Sequence, residues 1–280
     1  MARRRQHRRT HGVTAAVGVV CCLGLGAAGC ARSDAVAQGP PAGDPVQVLR
    51  TAADALVEAG SSRTRTSLEM ATGGTRVTIR GEGVYDYRKR LGRLEVLLPQ
   101  DPAGAVDGRP ITELLAPGAL YMKNRGAGVP AGKWVRVDTA TLSDGNLVTG
   151  GATDPFTAAE VLRGTRSATF VGRTEVAGAR VRHYRGTADL EAAARAASVV
   201  NRGLLDAAAK GFATARVPFD VYLDDEGRIR KVRHRFSFVN GERREPVAVA
   251  STTLLYAFGA PADVRLPADE DIYAGRIAQE

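Results

Sequence analysis

Runs in which apolar and polar residues alternate constrain the fold of this chain more than any other feature. The clearest is VPFDVYLDDEGRIRKVRHRFSFV, where Phe219, Val221 and Leu223 alternate with polar neighbours and a polar DDEG turn follows. Alternation on both sides of a short turn predicts an antiparallel hairpin. Similar runs predict further strands at residues 64–70, 75–87, 93–98, 119–123, 133–138, 168–176, 179–186 and 251–259.

Three segments have helical spacing instead. Asp44 and Asp154 are each followed by proline, which places an N-cap residue before the residue favoured at the first helical position. The third segment, residues 190–211, has apolar residues along one face, and we expect a break or kink at residues 201–203. Many short strands with two or three helices predict an α+β fold, in which one face of an antiparallel sheet is covered and the other is wet.

The start of the chain has the layout of a secretory signal. Five arginines and no acidic residue precede an uncharged run at residues 13–29 that ends in small residues. A retained membrane helix is the alternative, but the run is shorter than the roughly 20 apolar residues that span a bilayer and is rich in Gly and Ala. We therefore expect export and removal of a signal peptide.

Two cleavage sites fit this signal. Use of the AVA at residues 35–37 would remove all three cysteines. The AAGC at residues 27–30 resembles a bacterial lipobox, in which the cysteine becomes the N-terminus and carries a diacylglyceryl group. We favour this second site, because Cys30 closes the apolar run and a polar tail with Pro and Gly follows it. The interpretation gives a signal peptide at residues 1–29, acylated Cys30, a flexible tether at residues 30–43, and anchoring to the outer face of the cell membrane.

The exported part, residues 30–280, has 251 residues and one cysteine, so no disulfide can form within it. Its stability must come from burial of apolar residues. Loss of the five signal arginines lowers the formal charge from +9 to +4, and aromatic residues are not interleaved with the basic ones. We expect a single domain at residues 44–280 and no nucleic-acid partner.

The exported sequence has no recognisable catalytic or metal-binding motif. Its two histidines, His183 and His234, lie on predicted strands among arginines, and the common nucleophile, zinc-protease, thiol-redox and P-loop motifs are absent. The consecutive acids at residues 224–226 could suggest a cation site, but before a glycine they are typical of a turn. We expect no enzymatic activity, no cofactor and no metal.

The order of these segments resembles that of the actinobacterial LppX/LprG-type lipoproteins. The resemblance covers nearly the whole exported chain, and its most specific motifs are KWVRVD (133–138), FDVYLDDEGRIRKV (219–232) and YAFGAPADVRLP (256–267). It implies a strongly curved antiparallel sheet, a half-barrel wrapped around two or three helices, as in the LolA/LolB carriers. It also implies an apolar cavity that holds the acyl chains of a lipid or lipoglycan.

Apolar residues at alternate strand positions are the candidates to line such a cavity. They are Leu68, Met70, Val77, Ile79, Leu94, Val96, Leu120, Met122, Phe236 and Phe238. A filled core requires the same alternation, so the pattern does not separate a packed interior from a hollow one. The few aromatic residues and the Ala-rich helices favour a hollow one, although close helix packing also explains them.

Basic residues surround apolar ones after the DDEG turn. The candidates for contact with lipid head groups or the membrane are Arg228, Arg230, Lys231, Arg233 and Arg235. Each would contribute about 1 kcal/mol close to an anionic membrane. The alternative is an ordinary solvated sheet face, to which residues 87–93 (YRKRLGR) add further basic residues.

Two functions follow from these patterns. The first is a membrane-anchored lipoprotein that binds a lipid or lipoglycan by its acyl chains and carries or presents it outside the cell membrane, with an envelope transporter as a possible partner. The second is a surface lipoprotein with a filled core that binds another envelope protein, such as a transporter or sensor. A cavity of several hundred Å³ lined by the strand faces would distinguish the first from the second.

Overall fold

The structure is a computed structural model, and it describes residues 43–72, 75–98, 110–126, 128–148, 153–239 and 246–275. The predicted signal peptide, Cys30 and nearly all of the predicted tether lie outside these residues. Within the described ranges, no helix has both the length and the apolar composition needed to cross a membrane.

Eleven strands of the described chain form one antiparallel sheet. They are β1 (Ser61–Thr72), β2 (Thr75–Asp86), β3 (Leu91–Leu97), β4 (Ile111–Ala116), β5 (Ala119–Lys123), β6 (Trp134–Asp138), β7 (Thr165–Val176), β8 (Ala179–Asp189), β9 (Arg216–Leu223), β10 (Ile229–Val239) and β11 (Pro246–Tyr256). Their order is β6-β5-β4-β3-β2-β1-β11-β10-β9-β8-β7, so the first and last strands pair at the centre. As far as the described residues go, the edge strands β6 and β7 do not pair with each other, and the sheet is an open half-barrel.

Helices cover one face of this sheet, which we call the inner face. They are α1 (Pro45–Arg50), α2 (Ala52–Ala59), α3 (Pro155–Val161), α4 (Leu190–Ala196) and α5 (Val199–Gly211). Helices α2 and α3 contact β10, and α5 packs against α3, α4 and the 3-10 turn Thr139–Thr141. This arrangement confirms the predicted α+β half-barrel.

The predicted helix caps are present, but two predicted helices are broken. The Asp44 carboxylate accepts the Val46 N–H, and the Asp154 carboxylate accepts two N–H groups at the start of α3. The first predicted helix divides at Thr51 into α1 and α2.

The prediction that the segment at residues 190–211 breaks at residues 201–203 is wrong. Its break lies at Ser198, between α4 and α5. The cause is tertiary: the buried Glu160 carboxylate accepts hydrogen bonds from the Ser198 N–H (2.9 Å) and hydroxyl (2.8 Å). These bonds hold Ser198 in an extended conformation immediately before α5.

Strand β4 was not predicted, and β11 begins earlier than predicted, at Pro246. In the β4 sequence ITELLA, apolar and polar residues do not alternate. Leu114 on its outer face is apolar and buried, and the inward residues on either side of it are buried as well. The sequence of this segment therefore shows no period of two from which a strand could be predicted.

The chain after β11 crosses to the other end of the sheet. Ile272 forms a parallel bridge with Trp134 of the edge strand β6, and the Tyr273 N–H donates to the Trp134 carbonyl at 2.8 Å. Lys133 donates to the Glu270 carbonyl beside this bridge. The C-terminal segment thus covers part of an edge that would otherwise be free to pair with another chain.

Candidate functional site

The strand register arranges the inner-face residues in rows that run across the sheet. The Glu113 row, from β1 to β6, consists of Thr64, Gly83, Leu94, Glu113, Met122 and Val135. On one side lies the rim row, Ser62, Tyr85, Gly92, Leu115, Leu120 and Val137. On the other side lies the Thr66 row, Val232, Thr253, Thr66, Gly81, Val96 and Ile111.

The predicted lining residues meet on this inner face. Those buried in the common core are Leu68, Ile79, Leu94, Val96, Leu120, Met122 and Phe236. Met70 and Val77 are half-buried and pack against that core. Phe238 lies on β10 opposite Val247. The structure therefore brings these residues to one surface, and their contact with a lipid stays a prediction.

In this conformation the inner face is packed against other residues. The Phe236 ring stacks on Phe212, which follows α5, with the centroids 4.8 Å apart, and Leu120 is 1% exposed. Two grooves of several hundred Å³ lie elsewhere: one of about 610 Å³ beside α4 and α5, and one of about 450 Å³ on the outer face of β2 and β3. An acyl chain would reach the rows only if the residues packed against the inner face moved away.

A carboxylic acid lies in the middle of this apolar surface. Glu113 is fully buried, its cross-strand neighbours are Leu94 and Met122, and neither of its carboxyl oxygens has a hydrogen-bond partner among the described residues. Burial raises its pKa to about 8, although the charge of Arg125 acts in the opposite direction. The Glu113 side chain is therefore mostly uncharged at neutral pH.

Other polar groups without partners lie toward the centre of the sheet. The hydroxyls of Thr64, Thr66 and Thr253 and the Nε2 atom of His234 are buried and have no hydrogen-bond partner in the described part of the chain. Burial lowers the pKa of His234 to about 3, so its imidazole is neutral. Since most buried polar groups in proteins are hydrogen-bonded, the inner face combines apolar rows with unused hydrogen-bonding capacity.

Two of the residues predicted to contact lipid head groups, Arg228 and Arg230, lie at the turn between β9 and β10. Arg228 and Arg230 donate to the Asp224 carboxylate at 2.9 and 2.8 Å, and both guanidinium groups lie over the Phe258 ring. Asp224 also accepts the Arg228 N–H, which closes the turn that the sequence predicted. In the described ranges, no group of acidic, His or Cys residues could hold a metal ion.

The other three lie on the outer face of β10. Arg233 pairs with Glu69 at 3.5 Å, Arg235 pairs with Asp220 at 2.8 Å, and the Lys231 ammonium lies 5.3 Å from the centre of the Tyr222 ring. Two of these three residues are thus paired with the protein's own acids, and the contact of all three with lipid head groups stays a prediction.

Asp220 is a residue that the sequence analysis missed. Its buried carboxylate accepts hydrogen bonds from His183 (2.8 Å), Arg185 (2.9 Å) and Arg235. Although burial acts in the opposite direction, these hydrogen bonds lower the pKa of Asp220 to about 2. His183 is on the outer face, whereas His234 faces inward, so the two histidines share no site.

Known proteins that are similar to this chain are found among solved structures. No family model matches the chain, and no curated protein matches it. Among solved structures, the chain is similar to lipoprotein LppX of Mycobacterium tuberculosis, with 10% identity and a TM-score of 0.47 over 80% of this chain and 100% of that one. It is also similar to LprF of Mycobacterium bovis (14% identity, TM-score 0.42, 82% and 100% covered) and to a LolA-superfamily protein of Nitrosomonas europaea (10%, 0.34, 77% and 94%).

These similarities concern the fold alone, because the identities are low. The chain's own features define a class of protein, the open antiparallel half-barrel, in which helices cover an inner face that carries apolar rows.

Proposed function

We propose that this protein is an exported lipoprotein that binds a lipid by its acyl chains between the inner face of the sheet and the helices. It would carry or present that lipid outside the cell membrane. The observation that carries the proposal is the inner face itself, where the Glu113, rim and Thr66 rows are mainly apolar and run across neighbouring strands.

The dimensions of these rows suit a lipid tail. Six neighbouring strands, β1 to β6, span about 24 Å at a strand spacing of roughly 4.8 Å. One leaflet of a bilayer has a hydrocarbon thickness of about 15 Å. A tail laid across the strands would therefore fit along one row, and its removal from water would contribute roughly 25 cal/mol per Å² of apolar surface.

The experiment that tests the proposal uses the full chain with Cys30→Ser, purified from a lipid-containing host. Native mass spectrometry of the protein and mass spectrometry of its organic extract would show whether a lipid is bound in stoichiometric amount. A clean protein mass, even after incubation with envelope lipid extract, would contradict the proposal.

Two neighbouring residues on β3 provide matched variants. Val96 is fully buried in the Thr66 row, whereas Leu97 is 54% exposed on the outer face. We expect Val96→Phe to lower the bound lipid several-fold, because its ring would occupy the path of the tail, and Leu97→Phe to leave it unchanged. Circular dichroism would verify that both variants fold, since overpacking a core costs about 1–3 kcal/mol.

The membrane anchor has its own test. We expect Cys30→Ser to move the protein from the membrane fraction to the soluble fraction and to abolish labelling by radioactive palmitate. Cys21→Ser and Cys22→Ser are the controls, and both should remain membrane-bound, because those residues would be removed with the signal. Membrane retention of the Cys30→Ser protein would contradict lipidation at this site.

A second function is favoured by the close packing of Phe236 against Phe212. A filled interior suits a surface lipoprotein that binds another envelope protein, and the groove beside α4 and α5 has Val199 84% exposed at its edge. If no lipid is found in the experiment above, this function becomes the preferred one.

A further inference from the structure

A small pocket lies where the inner face ends. It forms between the β2–β3 turn, the β4–β5 turn, residues 139–146 and the first turns of α3 and α5, and its volume is about 20 Å³. That volume holds one group the size of a water molecule or a hydroxyl.

Two side chains bring unused hydrogen-bonding capacity to this pocket. Thr139 and Asn146 both line it, and both are at least nine-tenths buried. The Thr139 hydroxyl oxygen and the Asn146 side-chain oxygen have no hydrogen-bond partner within the described ranges. An unpaired buried polar atom costs about 1–3 kcal/mol, so a ligand that pairs both atoms would gain from the contact.

The charged groups of the pocket are already engaged. The Asp154 carboxylate accepts the Phe156 and Thr157 N–H groups and the Tyr85 hydroxyl, the last at 3.1 Å. The Arg90 guanidinium lies 3.7 Å from the centre of the Phe156 ring and donates to the Ser198 hydroxyl. The two buried atoms without partners, on Thr139 and Asn146, are neutral, which favours an uncharged group over a phosphate or an ammonium.

The pocket adjoins the apolar surface of the sheet. Tyr85 and Leu115 line the pocket and also belong to the rim row. A ligand with a polar group in the pocket would therefore have its apolar part directed along that row.

We propose that this pocket binds a hydroxyl group of the lipid head, and that the protein prefers neutral lipids with a free hydroxyl, of the diacylglycerol type. A hydroxyl both donates and accepts, so it can pair with the Asn146 oxygen and the Thr139 hydroxyl together. The inference rests on the proposed lipid-binding function and adds the class of head group.

The test compares two probes that differ in one hydroxyl, 1,2-dipalmitoylglycerol and its 3-O-methyl ether. Each is offered to the full-chain Cys30→Ser protein from phosphatidylcholine vesicles, and the bound amount is measured by native mass spectrometry. We expect a five- to tenfold preference for the free hydroxyl, which is the effect of about one hydrogen bond.

Variants assign the preference to the pocket. Thr139→Val keeps the shape of the side chain, and Asn146→Gly suits the left-handed backbone at that position (φ +59°). Each should reduce the preference to less than twofold, while Ser143→Ala, at an exposed position in the same segment, should leave it unchanged.

The outcomes separate this inference from the proposed function. Equal binding of the two probes would overturn the inference and leave lipid binding intact, with only a water molecule in the pocket. An unchanged preference in both pocket variants would also overturn it. Binding of neither probe, together with binding of a lipid from envelope extract, would overturn the inference alone. Binding of neither probe and of no envelope lipid would contradict the proposed function as well.

Discussion

Replacement of Glu113 by leucine is expected to stabilise the folded protein, and to do so far more at pH 8 than at pH 5. Removal of a buried carboxyl without partners avoids a desolvation cost of about 1–3 kcal/mol even when the group is uncharged. Leucine extends the apolar row between Leu94 and Met122. The measurement is urea unfolding of the Cys30→Ser chain at several pH values.

The pH dependence follows from the raised pKa of Glu113. The carboxyl has a pKa of about 8 when folded and an ordinary value of 4.5, so the folded state holds its proton more strongly. The stability of the parent protein is therefore greatest below about pH 4.5 with respect to this group and falls as the pH rises toward 8. The full loss is on the order of 5 kcal/mol.

Two variants sharpen this test. Glu113→Gln should abolish the pH dependence between about 6.5 and 8, where His234 no longer contributes, but keep part of the cost of burying a polar group. Glu95→Gln, at an exposed position on the outer face of β3, should leave the dependence unchanged. A flat parent profile over this range, or a destabilised Glu113→Leu protein, would show that Glu113 is not buried and unpaired.

Replacement of His234 by leucine is expected to remove a second pH dependence of the stability. This dependence has the opposite sign to that of Glu113 and extends to acid pH. Burial lowers the pKa of His234 from 6.5 to about 3, so the folded state holds the imidazole neutral. Its contribution is present above about pH 6.5 and is lost as the pH falls toward 3. At pH 4 the His234→Leu protein should be more stable than the parent by about 3 kcal/mol.

The pH range in which the stability changes distinguishes His234 from Asp220. Asp220, with its pKa lowered from 3.8 to about 2, contributes stability that is lost only between those values. Glu113 titrates in an overlapping range with the opposite sign, so unfolding is measured between pH 4 and 6.5 in the Glu113→Gln protein, where the slope reports on His234. His183→Gln is the comparison variant on the outer face, and it should retain the slope. A slope that persists over this range in the Glu113→Gln, His234→Leu double variant would place its origin elsewhere.

The sequence predicted those parts of the fold that depend on local pattern. Alternation located most strands, and aspartate followed by proline located the starts of α1 and α3. The break before α5 was not predictable, because it depends on Glu160, which is 38 residues away from Ser198 in the chain. Strand β4 was not predicted, because the apolar, buried Leu114 on its outer face interrupts the alternation. The position of Glu113 on the inner face was therefore not predicted either.

The candidate site was predictable in its apolar part only. Alternation shows which side chains share a face, but a filled interior and a hollow one require the same alternation. The acidic partners of the basic residues on β10 were not predictable for a different reason. Glu69 meets Arg233 only because β1 and β10 both pair with β11, a relation between strands that no local spacing records.

The pairing of β1 with β11 at the centre of the sheet has a consequence for how the chain folds. Strands β1 to β6 and β7 to β11 form two antiparallel meanders. Among the described residues, the strand pairing that joins them is made between residues 63–71 and 248–256. Closing so long a loop is entropically costly and slow compared with hairpin formation. The two halves of the sheet can therefore form early, but the seam between them must wait until the last strand, β11, is available.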